Sequence, residues 1–80
     1  MNVNKKINKL MLVLGMSGVD VKMTTSQSYD KESKRVRPFY GLFVNGQKIG
    51  YTRSSVNILM ILAMMINDMQ KHGIVLGGGG

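Results

Sequence analysis

The chain has no cysteine and no tryptophan, and only one proline, one histidine and four acidic residues among its 80. The missing cysteines exclude disulfides and thiolate metal sites, so nothing covalent braces the fold. They also remove any reason to invoke an oxidising compartment, and a cytoplasmic location is the expectation. One histidine, His72, and scattered carboxylates are too few for a structural metal centre. The same scarcity argues against catalysis, because a nucleophile and its base need a further oriented polar group. His72 has one acidic neighbour in sequence, Asp68, four residues before it. At that spacing on a helix, a local ion pair is the simpler reading. The glycines of GQKIG match neither a dinucleotide-binding loop nor a P-loop. The expectation is a non-catalytic protein with no cofactor and no metal.

Long apolar runs are missing too. The longest, Ile58 to Ile66, has nine residues, against about twenty needed to cross a bilayer. No membrane partner is expected. The basic MNVNKKINK followed by LMLVLGM loosely imitates a secretory leader. The apolar run is at the short limit and no small-residue cleavage pattern follows, so an amphipathic helix is the expectation.

What the chain does have is positive charge. Eleven Lys and Arg against four Asp and Glu give a formal charge of +7. That favours a polyanionic partner, either nucleic acid or an acidic protein surface. Eighty residues make one small domain, residues 1–76, with a marginal core. The tetraglycine at 77–80 reads as a linker or cloning scar.

Periodicity orders the elements. Ile7, Leu10, Met11 and Leu14 fall on one helical stripe. This predicts a helix over residues 4–15, capped by Asn4 and stopped at Gly15 or Gly18. Val19, Val21 and Met23 alternate with polar residues, which is the period of a half-buried strand. A loop is expected near Asp30 to Ser33. Asn45-Gly46 between two β-prone runs predicts a two-residue type I′ hairpin. Ser54 or Ser55 then caps a long helix ending at Gly73, with Ile74 making the closing apolar contact. The expected fold class is α+β, in the order helix, three antiparallel strands, helix. Ile58 to Ile66 is apolar all round, which predicts a second buried contact for that helix, with the first helix or another subunit.

Strand parity sorts the hairpin. Counting outward from the turn pairs Leu42 with Ile49, Gly41 with Gly50 and Tyr40 with Tyr51. One face then carries Val36, Pro38, Tyr40, Leu42, Val44, Ile49 and Tyr51. The other carries Arg35, Arg37, Phe39, Gly41, Phe43, Lys48, Gly50 and Thr52. On this second face aromatic rings can stack bases while cations hold phosphates. Lys34, Arg35, Arg37, Phe39, Phe43, Lys48 and Arg53 are therefore the candidate contacts for nucleic acid or an acidic partner, with Tyr40 a further stacking candidate. The alternative is that the first helix covers this face and buries Phe39 and Phe43, leaving the cations at its rim. Met60, Met64, Met65 and Met69 form a second candidate surface, for a homodimer or a protein partner.

The order of elements, and FYGLFVNGQKIGYTRSSVNILMILAMM in particular, resembles the double-stranded-RNA-binding domain across residues 4–72. The resemblance implies RNA binding, with Arg53 as a phosphate contact. The family's paired lysines at the start of the last helix are replaced by Arg53, Ser54 and Ser55, and its alanine-rich helix by one rich in Met, Ile and Leu. The order also looks like some small phage-encoded inhibitors of CRISPR nucleases. This resemblance implies a protein that blocks a nucleic-acid-handling enzyme, although such inhibitors are often acidic and this chain is basic. The readings are thus a basic nucleic-acid-binding module, expected as a dimer; a protein-binding inhibitor or adaptor; and a scaffold self-associating through its last helix.

Overall fold

A computed structural model describes residues 2–73. Helix α1 spans Val3–Met16 and opens on Asn2, whose Oδ1 accepts from the Lys5 N–H at 3.2 Å. An amide side chain at this position satisfies one of the donors a helix start leaves free. The helix closes through Gly18 at φ 90°, while the Val19 N–H turns back to the Leu14 carbonyl at 2.9 Å. Three strands follow: β1 Val21–Asp30, β2 Arg35–Val44 and β3 Gln47–Thr52. They form one antiparallel sheet in the order β1-β2-β3. Helix α2, Ser55–Lys71, closes the chain. The architecture is αβββα, an α+β fold. The expected contact of Ile74 and the tetraglycine lie outside the described residues.

Asn45 and Gly46 both adopt positive φ, 51° and 82°, as a two-residue type I′ turn requires. Asn45 also ties the turn to the start of β1. Its N–H donates to the Asp20 carbonyl at 2.7 Å, and its Oδ1 accepts from the Asp20 N–H at 2.9 Å.

Both helices lie on one face of the sheet and pack against each other, α1 towards β1 and α2 over β2 and β3. Ile7, Leu14, Leu42, Ile58 and Leu62 are fully buried between the layers, and Val21 nearly so. Each such side chain contributes about 1.5–3 kcal/mol of hydrophobic stabilisation. Met23, Tyr40, Val44, Leu10, Met65 and Ile66 pack around them. The second contact expected for the apolar helix is thus supplied by α1. No helix among the described residues is long and apolar enough to cross a membrane.

The helix layer covers only part of the sheet. Val21, Met23, Tyr40, Leu42 and Val44 lie beneath it, while Tyr29 and Val36, farther along the same face, are 59% and 62% exposed. The result is a flat, elongated molecule of 48 × 29 × 17 Å.

One part of the hairpin departs from the parity expectation. Val44 pairs with Gln47 and Phe43 with Lys48, as counted from the turn. Leu42 then pairs with Gly50, Gly41 with Tyr51 and Tyr40 with Thr52. Ile49 is the extra residue of a β-bulge. A bulge shifts every later residue of its strand to the opposite face. Tyr51 therefore leaves the helix-covered face, and Gly50 and Thr52 take the places expected for Ile49 and Tyr51. Strand β2 carries no such shift, so Arg37 and Leu42 stay on opposite sides.

Candidate nucleic-acid interface

The face away from the helices carries Lys22, Thr24, Ser26, Ser28 and Asp30 from β1, and Arg35, Arg37, Phe39, Gly41 and Phe43 from β2. The last strand adds Lys48 and Tyr51. Helix α1 packs on the opposite face, so it does not cover Phe39 and Phe43, which are half-buried among their sheet neighbours.

The centre of this face is a cluster of rings and cations. Phe39 and Tyr51 lie with ring centroids 5.3 Å apart at 49°, within the range of favourable tilted aromatic pairs. The Lys48 ammonium sits 4.6 Å above the Tyr51 ring and 6.0 Å from Phe43. The Arg53 guanidinium lies 5.2 Å from the Phe39 ring. Gly41 is the floor: a Cβ there would meet Thr24 Oγ1 at 2.7 Å and Phe43 Cε1 at 3.6 Å. A side chain at this position would press on Thr24, while its 3.6 Å approach to Phe43 is an ordinary contact.

The cations divide into committed and free groups. Arg53 Nη1 donates to the Ser28 and Arg37 carbonyls, both at 3.3 Å, and its Nη2 to the Tyr29 carbonyl at 3.1 Å. It acts as a strut across three strands. Arg37 donates to Asp30 Oδ2 at 2.9 Å. Asp30 is almost wholly enclosed and also accepts from the Ser33 hydroxyl at 2.9 Å and the Glu32 N–H at 3.1 Å. The Ser33 hydroxyl, then the Arg37 guanidinium, hold its carboxyl below the usual range, outweighing desolvation. Lys34, at φ 58° in the β1–β2 turn, is exposed, as are Arg35, Lys22 and Lys48.

Of the residues predicted for this site, Phe39, Phe43, Lys48 and Arg53 come together at its centre. Lys34, Arg35 and Arg37 gather at the far hairpin end. Tyr40 is turned to the helices and is unavailable for stacking on this face. Tyr51 and Lys22 belong to the site and were not predicted. Lys22 was within reach of the sequence, because it alternates with Val21 and Met23. Tyr51 was not, because its position depends on the bulge.

The four methionines do not share a surface. Met60 and Met64 are 56% and 67% exposed, whereas Met65 and Met69 pack against the core. Consecutive helical residues are about 100° apart, so Met64 and Met65 cannot line one narrow face. His72 Nδ1 lies 3.8 Å from Asp68 Oδ1, with both side chains largely exposed. Among the described residues, no three His, Asp or Glu side chains are grouped to hold a metal ion. No protein-family model, curated protein or solved structure matches the chain.

Proposed function

We propose that this protein is a non-catalytic module that binds single-stranded nucleic acid on the open face of its sheet. The observation that carries the reading is the ring cluster on the face the helices leave open, half-buried Phe39 and Phe43 with exposed Tyr51, and Lys48 and Arg53 against its rings. Rings on a flat sheet surface offer π-faces to unpaired bases, and the surrounding cations hold the phosphates. A duplex keeps its bases inside its own stack and has no use for such a platform. Lys22, Lys34 and Arg35 supply exposed positive charge around the cluster, Lys48 lies over Tyr51, and Arg53 lies over Phe39. The formal charge of +7 favours the same partner.

Fluorescence anisotropy with a labelled single strand tests this. Log affinity should fall with log salt by about 0.7 per neutralised phosphate. Tyr51→Ala should weaken binding by about 1–3 kcal/mol with little change in salt slope. Lys48→Ala should lower the slope by about 0.7. Affinity that ignores both salt and Tyr51 would refute the reading.

The outward Met60 and Met64 favour a second reading, a protein-binding inhibitor or adaptor. A stoichiometric protein partner that survives nuclease treatment and is lost on Met64→Lys supports it. A partner lost on nuclease treatment alone supports the first.

A further inference from the structure

The two edges of the sheet are treated differently. Strand β3 has six residues and is broken by the Ile49 bulge, and bulges and short length are devices that discourage further pairing. Strand β1 is also an edge, since the sheet order is β1-β2-β3. It has ten residues, no proline, no bulge against β2, and one cation, Lys22. Thr24 to Gln27, its middle, are all exposed, so nothing among the described residues covers this stretch. A long, regular, uncovered edge is a template for another strand.

We infer that the β1 edge pairs antiparallel with β1 of a second copy of this chain, about a two-fold axis at Ser26. Charge and shape select this register. A face-preserving self-pairing centred on Ser26 places Lys22 opposite Asp30 of the second copy, Met23 opposite Tyr29, and Thr25 opposite Gln27. Opposed residues share a face, so both helix layers lie on one side and both open faces on the other. Centring on Thr25 instead would bring Asp20, the residue just before the strand, towards Asp30 of the second copy, a like-charge approach.

The uneven helix layer fits the same arrangement. The helices cover the Val21 end of β1 and leave the Tyr29 end bare. In the antiparallel pair the bare end of each copy lies beside the covered end of the other. Tyr29, 59% exposed in one chain, then packs beside Met23 of its neighbour. The product is a continuous six-stranded sheet whose two aromatic platforms face the same way. The pairing stands apart from the ligand reading, and needs no nucleic acid.

Sedimentation equilibrium of the nuclease-treated chain, with crosslinking of single-cysteine variants, tests the pairing. The native chain has no cysteine, so each variant reports one site. Ser26→Cys should form a disulfide-linked dimer on mild oxidation, because opposed Cα atoms in antiparallel strands lie about 4.5–5.5 Å apart, within disulfide reach. Met64→Cys, on the outer flank of α2, should not. The double variant Thr25→Lys, Gln27→Lys sets two like-charge pairs in the interface and should raise the dimer dissociation constant about tenfold or more. Ser26→Cys is a near-isosteric change at an exposed position, so it decides the matter even if the charged variant folds poorly. A monomer at every soluble concentration overturns the pairing, as does a dimer crosslinked through Met64→Cys and not Ser26→Cys.

Discussion

Gly41→Ala places a methyl group where Thr24 Oγ1 would stand 2.7 Å away. Gly41 is buried at the centre of β2 and has no positive φ, so alanine can adopt its backbone conformation. Two effects then oppose each other. Replacing glycine at a compatible position stabilises a fold by about 0.4–1 kcal/mol, through the entropy of the unfolded chain. The contact forces the exposed Thr24 side chain off its rotamer, which costs about 0.5–1.5 kcal/mol. The single substitution should therefore change stability little or lower it slightly. In a Thr24→Ala background the contact is gone and the same change should stabilise. Urea unfolding of the four proteins of this cycle measures the coupling, expected at about 0.5–1.5 kcal/mol. Additivity within about 0.3 kcal/mol would show that Thr24 does not press on Gly41 and that the floor of the platform is drawn wrongly.

Two further outcomes follow from the core and from Asp30. Leu42→Ala empties the fully enclosed centre of the sheet and should lower stability by about 2–5 kcal/mol, a large part of the total for so small a domain; thermal melting with no loss of midpoint would contradict the packing. Asp30 has its carboxyl held below the ordinary range in the folded chain. Its contribution is thus present at neutral pH, above the unfolded value, and is lost as pH falls through the lowered folded value. Unfolding measured from pH 7 into the acid range should show a shallower acid decline in Asp30→Asn than in the native chain. Parallel curves would show that the Ser33 and Arg37 contacts do not stabilise the charged form.

Much of the fold was legible because it rests on local rules. The stripe of Ile7, Leu10, Met11 and Leu14 marked α1, which runs one residue further at each end than expected and is capped by Asn2, not Asn4. The Asn45-Gly46 pair fixed the hairpin, and Gly73 closes α2 at φ 74°. The β-bulge was not legible. Gly50, an isolated glycine within the strand pattern, is compatible with a bulge beside it but does not fix one, so the alternation was carried through unbroken. The extra residue, Ile49, moved Tyr51 across the sheet and completed the ring cluster. The internal ties of Arg37 and Arg53 were also hidden, because they join residues 7 to 25 positions apart. Composition counted both as free charge. The inward turn of Met65 and Met69 was accessible, since helical angles alone separate them from Met60 and Met64.

Amide and aromatic NMR shifts during titration with a short single-stranded oligonucleotide locate the binding face. The largest changes are expected at Phe39, Gly41, Phe43, Lys48 and Tyr51, with Met60 and Met64 undisturbed. Changes concentrated on the outer flank of α2, or none at any ratio of strand to protein, would rule out binding on the open face of the sheet.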